Sequence, residues 1–464
     1  MPPSFGTSGL RGLALELTPA LVTCYVQAFL AVCPHGGKLF VGRDFRVSSP
    51  EIAASVLEAA REAGIEGVDC GVLPTPALAL AAMNEGAAAV MVTGSHIPGD
   101  RNGLKFYVPT GEIGKDDEAR IVAAADAAKR PSGSGGAGRT LAGAIDAYAR
   151  RYLDAFPPGC LSGLVIGVYR HSSVARDVLE TVLAGLGARV VPLGHSDAFV
   201  PVDTEAVSEA DRKALCEWAQ AHGLDAVVST DGDADRPLVA DERGEVVAGD
   251  ILGVLTAQAL GAAIVCTPVS SNDLVRRMPE FAEVRLTRIG SPYVIAAMEQ
   301  ALAADPQARV AGFEANGGFL LGFRAQLHCT MPPLMTRDCL LPILAPLASA
   351  RAAGKPLSAL VSALPPCFSA ADRLQDIDRD KAGRFLAALI DDADARGAFF
   401  AETGPVERTD LTDGLRVEFA GNRIVHLRPS GNAPEFRVYA QADTVELARA
   451  LVSAYVARVG QAIA

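Results

Sequence analysis

Short apolar runs alternate with helix-period stretches along most of this chain, and the pattern changes character past residue 365. Residues 38–42 read as a buried strand, 50–63 as a helix and 67–70 as a second strand. The same order recurs at 164–169, 174–185 and 188–193, and again at 263–268, 272–278 and 282–286. A serine pair precedes each helix (Ser48-Ser49, Ser172-Ser173, Ser270-Ser271), placed for N-capping. This βαβ-like rhythm, met three times, predicts three related α/β domains in tandem. Further strands are expected at 87–92 and 224–230, and a helix at 250–261. A Pro/Gly/Ser-rich stretch at 129–138 closes the first unit. Its formal G-x-G-x-x-G (Gly133, Gly135, Gly138) follows no strand and reads as a loop or linker. Past residue 365, runs at 415–419 and 424–427 flank Gly421-Asn422, a hairpin signal. A strand at 435–442 follows, then Asp443, placed to cap a helix at 444–459. The expected division is 1–139, 140–247 and 248–364 for the α/β domains and 365–464 for a C-terminal α+β domain.

Composition narrows the partners. The 464 residues carry a formal net charge of −12, which argues against a nucleic-acid or anionic-membrane partner. An anionic ligand would have to be drawn by local arginines. Met1-Pro2-Pro3-Ser4 lacks the basic and apolar regions of a secretory signal, and no apolar run is long enough to span a membrane. Nine cysteines without C-x-x-C spacing fit a reducing cytoplasm. A cytoplasmic location is therefore expected.

Two stretches suggest chemistry. Thr93-Gly94-Ser95-His96-Ile97-Pro98 follows an apolar strand and exposes a hydroxyl in a loop. Asp231-Gly232-Asp233-Ala234-Asp235-Arg236 follows another and brings three carboxylates towards one point. Such a cluster needs a cation, and oxygen-only ligands favour magnesium, calcium or manganese. An EF-hand is rejected: Arg236 stands where its turn needs glycine, and the flanks read as strands. A serine carrier beside a hard metal is what phosphoryl transfer requires. Arg236 would hold a phosphoryl oxygen or neutralise the loop, and His96 is a proton partner or a loop hydrogen bonder. Arg11, among the glycines of residues 5–12, and Arg428, Ser430 and Asn432 around Gly431 form candidate phosphate cradles. Glu314 and Asn316, in a loop with Gly317 and Gly318, suit sugar hydroxyls.

These pieces, in this order, resemble the α-D-phosphohexomutase superfamily: a serine loop at 93–98, a metal loop at 231–236, a sugar loop at 314–318 and a phosphate loop at 428–432. The opening Gly6 to Gly12 and Gly42-Arg43-Asp44 with Arg46 match as well. The resemblance implies three α/β domains and a C-terminal α+β domain around a central cleft. It implies that Ser95 is carried as phosphoserine and, with Asp231, Asp233 and Asp235, holds Mg²⁺. A hexose 1,6-bisphosphate would be the intermediate and activator, and sugar phosphates the partners. Lys105, Arg11 and Arg236 would assist proton transfer or charge neutralisation beside Ser95 and His96. Glu314, Asn316, Arg288, Gly290, Arg428, Ser430, Gly431, Asn432 and Arg437 would bind substrate. The subtype implied is a hexose mutase acting on mannose phosphates, with glucose phosphates or dual specificity as the alternative. A non-catalytic sugar-phosphate binder and a metal-dependent phosphatase are the rivals from other classes. The chain departs from the family pattern at Gly94 and Ile97, where many relatives have Ala and Asn, and at Asn316, where Ser is common. It also has Gly318 where some carry His, so no acid/base role can be transferred to that position.

Overall fold

The computed structural model describes residues 3–6, 9–127, 135–430 and 434–463. They divide into two compact units, residues 1–265 with 290–361 and residues 266–289 with 362–464.

In the first unit, strand Lys38–Arg43 lies between the parallel strands Glu66–Val72 and Ala88–Val92. Arg101–Val108 continues this sheet antiparallel to Ala88–Val92, and Leu10–Leu13 pairs antiparallel with Arg101–Val108. Every residue of Ala88–Val92 is buried, as an apolar strand covered on both faces must be. Helices Pro19–Val32 and Ser49–Glu62 supply Val22, Val26, Phe29, Ile52 and Val56 to the core that covers it. The serine loop leaves the carboxyl end of Ala88–Val92, where parallel sheets place ligand-binding loops.

A second sheet has the parallel strands Arg189–Leu193, Val165–Tyr169 and Ala226–Thr230, extended antiparallel by Pro237–Ala240. Thr230 pairs with Pro237, so residues 231–236 are the tip of a hairpin. In a third place Val310–Phe313, Phe319–Leu321 and Leu334–Asp338 pair antiparallel. Phe313 faces Phe319, which makes residues 314–318 another hairpin tip. Hairpin tips and strand ends thus present all three chemical loops of this unit.

The second unit has a five-stranded antiparallel sheet, Phe368–Leu374, Phe436–Ala442, Arg423–Pro429, Leu415–Phe419 and Val406–Asp410, in that order. Helices Arg379–Asp391 and Val445–Ile463 cover it through Leu386, Leu389, Val452, Tyr455 and Val459. The expected hairpin is present, with Gly421 and Asn422 both at positive φ. Tandem α/β sheets followed by an α+β unit are the fold class the sequence predicts.

Local expectations fail where hydroxyls find better partners. The helix beginning at Ser49 has no side-chain cap; Ser49 Oγ instead donates to Asp44 Oδ1 at 2.6 Å. The helix expected from 174 begins at Arg176, also without a side-chain cap, while Ser173 Oγ meets Thr230 Oγ1 at 2.5 Å. The third short helix is a 3₁₀ turn, Asp273–Arg277, capped by Asn272. Thr444 rather than Asp443 accepts from the first turn of the last helix, at 3.2 Å from Leu447 N. Asp443 is engaged by the Asn422 amide. Of the stretch at 129–138, residues up to 134 (Gly133 among them) lie outside the described residues, while Gly138 begins a short strand paired with Glu66–Val72.

The strand Leu334–Asp338 is anchored at its end. Asp338 accepts hydrogen bonds from Tyr148 and Tyr152, both at 2.5 Å, and all three side chains are buried. Tyr152→Phe leaves one buried carboxylate oxygen without this donor, at a cost of about 1–3 kcal/mol. Urea unfolding should show a lower midpoint with an unchanged slope; an unmoved midpoint would mean the tyrosines do not hold this strand.

Candidate active site

Three buried carboxylates set the site's electrostatics. Asp231, Asp233 and Asp235 are fully buried, and one oxygen of each lies within 4.8 Å of the others. At 4 Å and an effective dielectric constant of 20, two such charges repel by about 4 kcal/mol, so cations must converge on them. Lys105, projecting from Arg101–Val108, places Nζ 2.6 Å from Asp233 Oδ2 and 2.5 Å from Asp235 Oδ2. Arg337 Nη2 lies 2.8 Å from Asp235 Oδ2. Thr75 Oγ1 donates to Asp233 Oδ2 at 2.6 Å. Burial works against the charge of Asp233, but Lys105, with Thr75 and Arg337, outweighs it and holds the carboxyl below the usual range. Asp231 is the exception: burial, then Asp233 and Asp235, push its carboxyl well up. Oδ1 of Asp233 and of Asp235 has no hydrogen-bond partner. Two donor-less buried oxygens beside a third carboxylate fit a hard divalent cation, which would relieve the repulsion and fill their acceptor positions.

Ser95 faces this cluster. Its side chain is buried, and Oγ donates to Asp231 Oδ2 at 2.5 Å. Its φ of 55° lies in the left-handed region, which costs a residue with a side chain of order 1–3 kcal/mol. The loop is held there by Arg46, a buried arginine that sequence reasoning matched only as part of a motif. Arg46 donates to the carbonyls of Ser95 (2.9 Å), Ile97 (2.6 Å), Pro98 (2.6 Å) and Arg101 (3.0 Å). Asp44 pairs with Arg46 Nε at 3.1 Å and accepts from Thr93 Oγ1, which in turn accepts from Ser95 N. The Phe199 ring covers the guanidinium at 3.9 Å. Gly94 is required by this packing: a Cβ there would meet Arg46 Cζ at 2.6 Å.

His96 Nδ1 lies 3.1 Å from Arg236 Nη1 and 3.3 Å from Ser95 Oγ. A guanidinium cannot accept, so Nδ1 must be the acceptor and the imidazole neutral. Burial, then the charge of Arg236, lowers the His96 pKa to about 3. Nε2 points towards Asp203, 4.0 Å away. Arg11 belongs to the same field; burial, then Arg236, lowers its pKa to about 10.

The sugar-type loop joins this set. Glu314 Oε2 accepts from Asn316 Nδ2 at 3.2 Å and from Arg337 Nη1 at 3.4 Å. Thr204 Oγ1 donates to the Asn316 carbonyl at 2.9 Å. Next to Thr204, the Glu205 side chain is exposed, and Asp203 and Glu314 lie in its electrostatic surroundings with Arg236 opposing them. Gly290, at φ 134°, precedes the helix Ser291–Ala304.

The remaining predicted residues belong to the second unit. Arg428 Nε donates to Asp413 Oδ1 at 2.8 Å, and Arg288 Nε to the Thr412 carbonyl at 3.2 Å. These two arginines therefore share one turn, with Ile289 N also donating to Asp413. Arg437 stands opposite Arg428 on the neighbouring strand and donates to Glu435. Ser430 N donates to the Glu435 carbonyl. Gly431 and Asn432 lie outside the described residues.

Sequence reasoning missed Arg46 and Phe199 as loop supports, Thr75, the Asp203–Glu205 segment and Arg337. Only Arg46 carried a sequence signal, its place in the Gly42-Arg43-Asp44 motif. Arg46→Met leaves Asp44 buried without its cation and removes donors from four carbonyls. A loss of about 3–5 kcal/mol is expected, with faster hydrogen exchange across residues 93–101. Unchanged exchange there would show that other contacts set the serine loop.

Comparison with known proteins gives the family. Phosphoglucomutase/phosphomannomutase alpha/beta/alpha domain I matches residues 2–131, domain II residues 150–244 and domain III residues 248–368. The chain is 48% identical over 469 residues to a phosphomannomutase of Sinorhizobium fredii, covering 98% of each. It is 44% identical over 448 residues to one of Salmonella muenchen, covering 96% of this chain and 92% of that protein. A phosphoglucomutase/phosphomannomutase family protein of Burkholderia thailandensis has the same fold, with a TM-score of 0.77, 21% identity and coverage of 98% and 97%. The family models span well over half the sequence and the two full-length relatives exceed 40% identity, so the chain belongs to the phosphoglucomutase/phosphomannomutase family of phosphohexomutase enzymes.

Proposed function

We propose that this enzyme interconverts hexose 1-phosphate and hexose 6-phosphate, with mannose phosphates as the preferred pair, through a phosphoserine at Ser95 and a hexose 1,6-bisphosphate. The observation that carries the reading is the buried Ser95 hydroxyl, held at a positive φ against a buried triple-aspartate cluster. The two phosphomannomutases at 44–48% identity favour mannose.

In this reading phosphoserine gives its phosphoryl group to a free hydroxyl of the bound sugar phosphate. A P–O bond to the sugar forms as the P–Oγ bond breaks, and the sugar's hydroxyl proton leaves to a base. The bisphosphate then turns over and returns its other phosphoryl group to Ser95. Asp231, Asp233 and Asp235 would hold Mg²⁺, which when bound offsets charge on the transferring group. Lys105 keeps Asp233 and Asp235 ionised and oriented. Arg236 and Arg11 add fixed positive charge beside Ser95, and Arg236 keeps His96 neutral with Nδ1 turned inward. Glu314 and Asn316 accept and donate to sugar hydroxyls. Arg288, Gly290, Arg428, Ser430, Gly431, Asn432 and Arg437 are assigned to the remainder of the substrate, the distal phosphate above all. A cytoplasmic site of action fits the cysteine usage; among the described residues no helix is long and apolar enough to cross a membrane.

The protein with Mg²⁺ and a trace of hexose 1,6-bisphosphate should convert mannose 1-phosphate to the 6-phosphate, and glucose 1-phosphate more slowly. Absence of any 6-phosphate from either sugar would overturn the mutase reading, and release of free phosphate instead would favour a phosphatase. The reverse order of rates would reassign the preferred sugar. Ser95→Ala should fold normally, gain no phosphoryl group by intact mass and lose at least about 10³-fold in kcat. Activity near that of the unsubstituted enzyme would remove Ser95 as the carrier.

A further inference from the structure

Arg337 is buried, 2% exposed, and lies outside the serine, metal, sugar and phosphate loops read from the sequence. Its guanidinium meets three carboxylates from three segments: Asp235 Oδ2 at 2.8 Å, Glu112 Oε1 at 3.4 Å and Glu314 Oε2 at 3.4 Å. A planar fork spans carboxylates in this way, where an ammonium would favour one. Its backbone is held too, because the next residue, Asp338, is bonded to Tyr148 and Tyr152.

The space for this side chain comes from Gly318. A Cβ on Gly318 would meet Arg337 Cδ at 2.8 Å, Cγ at 2.9 Å and Cβ at 3.1 Å. These are stem atoms close to the backbone, which cannot swing away as a side-chain tip can. The position where some relatives place a histidine is thus filled from the neighbouring strand by an arginine stem.

Glu314 Oε2 is held from two sides, by Arg337 Nη1 and Asn316 Nδ2, and Asn316 Oδ1 in turn accepts from Gly318 N at 3.0 Å. A carboxylate has about four acceptor sites. Two donors on one oxygen restrain the carboxylate and leave acceptor capacity to be aimed. We propose that Arg337 is a positioning residue: it locks the Glu314 carboxylate in the orientation that reads the sugar's hydroxyls and ties that reader to Asp235 in the acidic loop. This rests on the hexose-phosphate reading above. Arg337 acts through Glu314, since its guanidinium is engaged by three carboxylates and withdrawn from solvent.

A site built to bond a hydroxyl rejects an analogue lacking it, because its own polar groups are left unpaired. A reader free to turn loses that discrimination. The test compares kcat/KM for mannose 1-phosphate and its monodeoxy analogues in the unsubstituted enzyme, Arg337→Lys and Gly318→Ala. Arg337→Lys keeps the positive charge and loses the fork; Gly318→Ala keeps the arginine and displaces it. Both should narrow the discrimination against the most strongly rejected analogue by about tenfold, with KM for the parent raised more than kcat is lowered. Thermal midpoints are measured in parallel. Discrimination retained in full while kcat/KM falls equally for all sugars would reduce Arg337 to a structural strut and overturn the proposal. An unsubstituted enzyme indifferent to every monodeoxy analogue would overturn it too. Should one variant not fold, the other decides. If the unsubstituted enzyme converts no hexose phosphate at all, the proposed function falls first, which is a different result from an active enzyme whose variants discriminate normally.

Discussion

Three carboxylates held within 4.8 Å of one another in a buried place are the constraint on which the rest of the site depends. Burial alone would neutralise them by protonation. The structure answers with cations from outside the acidic loop: Lys105 from the first sheet and Arg337 from the third set of strands. The loop therefore keeps its charge on burial only because distant parts of the first unit come together around it. Both cations bond Oδ2 atoms, so Oδ1 of Asp233 and of Asp235 stays without a donor. Charge balance and metal-binding capacity are set by the same side chains. Asp231, which neither cation touches, is left with its carboxyl pushed up, and it is the carboxylate that faces Ser95.

Local strain follows from this arrangement. Ser95 and Ala234, one in each facing loop, both sit at positive φ, at 55° and 60°. Neither residue type favours that region, so each conformation must be imposed by its surroundings. At Ser95 the imposing group is Arg46, whose guanidinium meets four carbonyls and is closed off by Phe199. The Ser95 carbonyl among them is buried and would otherwise lack this donor. The serine is thus fixed by its backbone, which leaves its hydroxyl free to meet the acidic loop.

Much of this was legible in the sequence, and the reason is locality. Strands such as Ala88–Val92 and Ala226–Thr230 are buried throughout and mostly apolar because both faces are covered, and the loops after them are short and chemically marked. Ser95, Asp231, Asp233, Asp235 and Glu314 could be picked out from their own neighbourhoods, and Lys105 only through the family resemblance. Their mutual distances could not, nor could the groups that work only through tertiary contact. Thr75 lies 158 residues from the Asp233 carboxylate it bonds, and Glu112 lies 225 from Arg337. The serine pairs misled for a related reason. A serine before a helix is a capping signal only when nothing stronger competes: Ser49 is drawn to Asp44, and Ser173 bonds Thr230 and Ala175 N just ahead of the helix without capping it. Asp443 lost its expected cap to Thr444 in the same way.

The two glycine departures from the family pattern, Gly94 and Gly318, are explained by a single geometric rule. At each, an added Cβ would run into a buried arginine, Arg46 Cζ at 2.6 Å and Arg337 Cδ at 2.8 Å. Neither glycine is there for backbone freedom, since neither has a positive φ. Both are vacancies that let an arginine from elsewhere in the first unit enter a functional loop. In this chain the volume beside position 318 is filled by the Arg337 stem. Judged from its own sequence the sugar loop looks impoverished; with Arg337 counted, it carries a permanent positive charge bonded to both Glu314 and Asp235, which a histidine that titrates near neutrality would not supply.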